Sequence, residues 1–216
     1  MHTISVVTST WNRHDLLLDH VIPSVLNQTY PGNIEHIIVS DGPDQALHDK
    51  LVARFPSVLF HQAGNRRLVY HDLGHNWQAL TEKRSWGAIP RFVGTCLATG
   101  DCVAYLDDDN SYYLVHLEWL YNLLQERGVD FVYSKFYNHR TNKVVGKNVP
   151  IRQHIDTSVI LHKIGLLGKP DCQWYPAGYA SDYALISRWL AAGAKWEFLD
   201  QITVAYGIEK IERVKV

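Results

Sequence analysis

Short runs of β-branched and apolar residues that stop abruptly at polar ones constrain this chain most. Residues 4–9 (ISVVTS), 34–39 (IEHIIV) and 102–106 (CVAYL) are such runs, and helix-spaced segments lie between them. Strands this apolar must be covered on both faces, which points to a mostly parallel sheet under helices. A helix is predicted over residues 15–28 from Leu17, Val21 and Val25, with Pro23 kinking it. Others are predicted through Leu47, Leu51 and Arg54, over residues 88–98 with Gly100 closing the end, and through Leu114, Leu117, Leu120, Tyr121 and Leu124. Residues 58–61 and 129–134 read as further strands, and residues 64–87 as a long loop over one sheet edge. Beyond them come a hairpin or loop at 135–150, a strand at 155–161, a helix at 181–192 and a last strand at 202–206. The helix carries Leu185, Ile186, Trp189 and Leu190 on one face. The fold class is α/β, a mostly parallel central sheet flanked by helices.

At 216 residues the chain fits one domain, 1–216, by the rule of about 150 residues per domain. Apolar residues make up 46% and charged residues 20%, which excludes disordered and fibrous chains. Lys+Arg at 21 against Asp+Glu at 22 gives a net charge of −1, so nothing draws nucleic acid or an anionic membrane to the chain as a whole. An anionic ligand needs a local site. Cys96, Cys102 and Cys172 are odd in number and lack a CxxC spacing, so neither a disulfide framework nor a thiolate zinc site is indicated. The start lacks the marks of a signal peptide, and no apolar run approaches the ~18 residues of a spanning helix. A reducing, cytoplasmic setting is expected, at most peripheral to a membrane.

Ligands in open α/β sheets sit beyond the carboxyl ends of the strands. Ser9, Thr10 and Asn12 end the first strand, Asp41 the second, and Asp107-Asp108-Asp109-Asn110 the strand at 102–106. Three adjacent carboxylates repel one another, and a divalent cation such as Mg²⁺ or Mn²⁺ removes that cost with oxygen-only ligands. In an extended segment Asp107 and Asp109 would face one way and Asp108 the other. One pair would then hold the metal and the middle carboxylate a sugar or ribose hydroxyl. The bland alternative is a solvated acidic turn at a helix start. No GxGxxG, GxxxxGK[ST] or GxSxG is present, which excludes the corresponding dinucleotide, P-loop and hydrolase sites. His71 and His75 are four apart without an HExxH glutamate, and with His154 and His162 they read as surface or satisfied histidines.

ISVVTSTWNRHDLL, VLNQTYPGNIEHIIVSDG and LATGDCVAYLDDDN, in this order, resemble the family 2 glycosyltransferases, inverting enzymes of the GT-A fold. The resemblance is clear over residues 3–62 and 86–125 and looser over 155–206. It implies a nucleotide-sugar-binding half, 1–110, fused to a smaller acceptor half, 111–216. By the same resemblance Ser9 and Thr10 contact the nucleotide, Asp41 recognises the base, and Arg91 pairs with the pyrophosphate. Asp107, Asp108 and Asp109 occupy the DxD position, with Asp109 and Asp107 on the metal and Asp108 toward the ribose. Where the family often has Asn after that arginine, this chain has Phe92. Gly178-Tyr179-Ala180-Ser181-Asp182 resembles the late motif that carries the catalytic base, at Asp182. At the start of a helix Asp182 also serves as a capping residue, and the helix terminus is expected to lower its pKa. Trp174, Tyr175 and Tyr179 are candidates to stack on the acceptor, or to be core.

The implied donor is a nucleotide-diphosphate sugar, UDP being the commonest base. The acceptor is a hydroxyl of a glycan, a lipid-linked glycan or a small molecule. Two alternatives stay open: a sugar-phosphate nucleotidyltransferase, whose basic Gly-rich signature WNRHD lacks, and a non-catalytic nucleotide-sugar-binding protein of the same fold.

Overall fold

The computed structural model describes residues 2–59, 63–80, 87–169, 171, 173–174 and 181–209. Strands β1 (Thr3–Thr10), β2 (Asn33–Ser40) and β4 (Cys102–Tyr105) are the buried runs read from the sequence, and all three are buried along nearly their whole length. β1 lies between the other two in parallel register, Ile4 opposite Ile34 on one side and Cys102 on the other. The faces of β2 separate as a pleat requires: Ile34 and Ile38 join the main core with Leu17, Val21 and Ile22, while Ile37 and Val39 join a smaller one with Ile89 and Val93.

The edge at residues 64–87 departs from expectation. Residues Arg66–Asp72 form β3, a parallel strand on β2 and not a loop. An edge strand buries little, here Leu68 alone among its fully covered side chains, so its apolar period is weak. Arg66 serves the edge by donating to the carbonyls of Leu26, Gln28, Tyr30 and Gly32. The strand expected at 58–61 is instead a single helical turn, Pro56–Leu59, where proline suits the first helical position; residues 60–62 lie outside the described residues.

The first helix, α1, runs His14–Leu16, widens into a π turn over Leu17–Val21 and continues as Ile22–Leu26. Pro23 has no N–H to give and its ring crowds the preceding turn, so the wider turn stands where a kink was expected. Helices α2 (Gln45–Arg54), α3 (Ala88–Leu97), α4 (His116–Arg127) and α5 (Ser181–Ala191) follow the sequence reading closely, except that extended Ala98 and not Gly100 caps the end of α3.

The remaining strands are β5 (Asn110–Tyr112), β6 (Phe131–Asn138), β7 (Lys143–Val145), β8 (Ile160–Lys163) and β9 (Trp196–Tyr206). The described strands form one nine-stranded sheet in the order β3-β2-β1-β4-β8-β6-β9-β5, with β7 hairpinned onto β6. β8 runs antiparallel between β4 and β6, and β5 antiparallel to β9. The anticipated strand at 155–161 starts late, because Asp156 caps a 3₁₀ turn, Thr157–Val159, by accepting from Ser158 N at 2.9 Å. On α5, Trp189 packs against Phe131 of β6 and His162 of β8, fixing that helix over the second half of the sheet. Trp174 is buried edge-on to Tyr105 and belongs to the core; Tyr175, Tyr179, Cys172 and residues 178–180 lie outside the described residues. Among the described residues no helix is long and apolar enough to cross a membrane.

Candidate active site

A cavity of about 560 Å³ opens at the carboxyl ends of β1, β2 and β4. Ser9, Thr10, Asp41, Arg91, Asp107, Asp108, Asp109 and Asp182, the residues to which the resemblance gives roles, all line it, whereas Asn12 is not a lining residue. Parallel strands β1, β2 and β4 end at the same edge, so their polar termini meet there without any local motif. Asp41 stands at the end of β2, its N–H bonded to Thr10 O at 2.9 Å and its Oδ1 accepting from Trp77 N at 3.0 Å.

The carboxylate run is a turn and not an extended segment: Asn110 N donates to Asp107 O at 3.1 Å. Alternation along a strand therefore does not apply, and it is the extended geometry behind the pairing of Asp107 with Asp109 that is corrected. Asp107 turns to Arg91, whose Nη2 bonds its Oδ1. Asp108 and Asp109 instead share Arg13, with Nη1 2.9 Å from Asp108 Oδ1 and 2.7 Å from Asp109 Oδ2. Asp109 Oδ2 takes a second guanidinium, Arg140 Nη2, at 2.6 Å. Asn110 pins the turn from below, donating to Ser158 Oγ at 2.8 Å and accepting from Gly207 N at 2.9 Å.

Burial pushes the Asp108 carboxyl up to about 6, against the pull of Arg13 and with the neighbouring Asp109 adding to the rise. Arg91 is buried, stacked over the ring of Trp174 with its Cζ 5.5 Å from the centroid. Asp156 lines the cavity too; burial first, then Asp107 and Asp182, raise its carboxyl well above the ordinary range. Asp182 opens α5 and accepts from Tyr183 N at 2.7 Å. Its pKa was expected to fall at a helix start. It is raised, because burial outweighs that N–H and the attraction of Arg91.

Asp107 meets Arg91 through Oδ1, Asp109 meets both its arginines through Oδ2, and both carboxylates line the cavity. Oxygen-only donors of this kind fit a hard divalent ion whose other ligands come from a substrate and water. Among the described residues no group of three or more His, Cys, Asp or Glu side chains forms a ready cage. His71 and His75 are both exposed, as read from the sequence.

Sequence reasoning missed Arg13, Arg140, Asp156 and Tyr206, all of which line the cavity. Arg13 carried a usable signal, standing in the polar end of the first strand beside Thr10. Arg140 and Asp156 carried none, since only the assembled sheet brings a hairpin turn and a 3₁₀ cap to this edge.

The sequence profile of glycosyl transferase family 2 matches residues 5–184. Glycosyltransferase GlyG of Streptococcus pneumoniae serotype 4 (strain ATCC BAA-334 / TIGR4) is 29% identical over 136 residues, which are 63% of this chain and 40% of that protein. TarS of S. aureus in complex with UDP-GlcNAc has a TM-score of 0.72 at 18% identity, over 94% of this chain and 58% of that one. The mannosyltransferase PcManGT from Pyrobaculum calidifontis, in complex with GDP-Man and Mn²⁺, has a TM-score of 0.69 at 13% identity, over 95% of this chain and 56% of that one. The chain thus spans less than two thirds of the length of these relatives. The mixed curled sheet with flanking helices is the GT-A fold. With that fold and a profile match across residues 5–184, the chain belongs to glycosyl transferase family 2.

Proposed function

We propose that this domain moves a sugar from a nucleotide-diphosphate sugar to an acceptor hydroxyl, with inversion, assisted by a divalent cation and by Asp182 as general base. The observation that carries the reading is the meeting of all eight sequence-selected residues on one cavity. The UDP-GlcNAc and GDP-Man bound by two structures of the same fold support a donor of this class. Residues 1–110 hold most of the donor, and residues 111–216 supply the base and the acceptor side.

In this reading Asp41 selects the base, Ser9 and Thr10 contact the nucleotide, and Asp108 accepts from a ribose hydroxyl. Arg91 sets positive charge beside the diphosphate. Asp107 and Asp109 would hold Mn²⁺ or Mg²⁺, which when bound neutralises the charge growing on the leaving diphosphate. The acceptor oxygen attacks the anomeric carbon from the face opposite that leaving group, and its proton passes to the Asp182 carboxylate. One bond forms as one breaks, so the configuration inverts and no covalent intermediate is needed. The raised pKa of Asp182 makes it a stronger base than a solvated aspartate.

The test is a product assay on UDP-, GDP- and dTDP-sugars, with and without Mn²⁺ and a panel of glycan acceptors. Release of a nucleoside diphosphate together with a glycosylated product is expected. Pyrophosphate formed from a sugar phosphate and a nucleoside triphosphate would make the chain a nucleotidyltransferase instead, and no turnover at all would leave only a binding protein.

A further inference from the structure

Asp109 Oδ2 is shared by two guanidiniums that come from elements distant in sequence. Arg13 follows β1, and Arg140 sits in the turn of the β6–β7 hairpin. The hairpin turn is tied by hydrogen bonds: Asn138 Oδ1 accepts from both Arg140 N at 2.9 Å and Thr141 N at 3.1 Å, and His139 N donates to Tyr206 O at 2.9 Å. The Arg140 arm then lies across Gly207, whose φ is +72°. A Cβ at 207 would stand 2.8 Å from Arg140 Cγ and 2.9 Å from its Nε, so the arm occupies the space any larger residue would fill. The guanidinium divides its bonds between Asp109 on the cavity side and Glu209 Oε1 on the outer side, each at 2.6 Å, with its face over the Tyr206 ring. Its side chain is 34% exposed and lines the cavity. The turn's backbone bonds do not involve the guanidinium, and of the head's partners only Asp109 and Tyr206 line the cavity.

We propose that Arg140 is a positioning residue for the donor's diphosphate, holding Asp109 as an internal counter-ion in the empty site and passing to the diphosphate when the donor enters. The proposal rests on the donor class proposed above. A divalent cation arriving alone meets an Asp109 already neutralised by two arginines, and like charges oppose it. A diphosphate reverses that balance, because its oxygens accept from the planar fork of Arg140 and release Asp109 to the cation. Cation and donor then favour one another's binding, and by linkage the coupling is reciprocal. Glu209 and Tyr206 keep the arm at the rim through the exchange.

Titration calorimetry on wild type, Arg140→Gln and Arg140→Lys tests this with MnCl₂ alone, with metal-free UDP, GDP, dTDP, CDP and ADP, and with the matching nucleosides. Arg140→Gln should weaken the diphosphate that wild type binds by about tenfold, bind Mn²⁺ alone several-fold more tightly, and leave the nucleoside unchanged. Arg140→Lys keeps the charge without the fork and should recover part of the diphosphate affinity, and it carries the test should the glutamine variant fail to fold. The proposal is overturned if diphosphate affinity stays within about twofold of wild type, if nucleoside affinity falls in parallel, or if Mn²⁺ affinity does not rise. A wild type that binds none of the five diphosphates overturns the donor reading as well, whereas binding that ignores position 140 overturns this inference alone.

Discussion

Three adjacent aspartates stay in a partly enclosed cavity because arginines stand beside them: Arg91 on Asp107, Arg13 between Asp108 and Asp109, and Arg140 on Asp109. Removing one partner of a buried ion pair ordinarily strands the other and costs several kcal/mol. Here the network has spares. Without Asp109, Arg13 keeps Asp108 and Arg140 keeps Glu209. Asp109→Ala should therefore move the ligand-free melting temperature by no more than about 2–4 °C, the effect of roughly 1 kcal/mol in a domain of this size. It should also abolish the extra stabilisation that Mn²⁺ gives to a bound nucleotide. A large loss of ligand-free stability with an intact nucleotide response would make Asp109 a structural cap. Asp182 carries a pH signature of its own. Burial raises its pKa, and a base must be deprotonated, so the acid limb of kcat/KM is expected above the ordinary carboxylate range near 4. A pH–rate profile that is flat down to that range would remove Asp182 from the role.

At the scale of elements, α3 delivers Arg91 to the cavity only because it lies close on β1 and β2. A Cβ at Gly94 would stand 2.5 Å from Val7 Cγ1 and 3.2 Å from Val39 Cγ2, so the helix approaches the sheet through its glycine. Gly94→Val should cost at least about 2 kcal/mol in a urea melt, as overpacking does, and weaken donor binding by shifting Arg91. An unchanged melt would mean the helix has slack. Much of this layout was legible in the chain: β1, β2, β4 and helices α2 to α5 follow from apolar periodicity, because each buries a full stripe or both faces. β3 was not legible, since an edge strand with one fully buried side chain leaves no period to read. The turn at Asp107–Asn110 was misjudged as extended because its shape is imposed by Ser158 and Gly207, distant in sequence. Arg140 and Asp156 escaped for the same reason, as their place at the site exists only once β6 and β8 have been inserted beside β4.

For the whole molecule, the nine-stranded sheet of the described strands joins cavity residues from both halves of the chain, and its interior holds titratable groups that do not line the cavity. His36, His116 and His162 are buried and neutral, with burial pushing their pKa values down to about 3, 3 and 4. Each folded pKa lies below the unfolded value near 6.5, so the unfolded chain binds more protons between the two. The stability they contribute is complete above about pH 6.5 and is lost as pH falls toward 3–4. Replacing His36, which bonds Thr8 Oγ1 at 2.9 Å, with Gln should flatten the acid limb of a melting-temperature profile by one proton's worth. Parallel profiles for variant and wild type would place that limb elsewhere. Asp182→Asn against wild type, with nucleotide affinity and nucleoside diphosphate release measured on the same samples, tests the proposed transfer most directly. Asn keeps the shape and most of the capping ability but cannot take the proton. The prediction is unchanged nucleotide affinity with turnover lower by roughly two to four orders of magnitude, the range for loss of a general base. Turnover near the wild-type rate, or a wild type that neither binds nor consumes a sugar nucleotide, would contradict it.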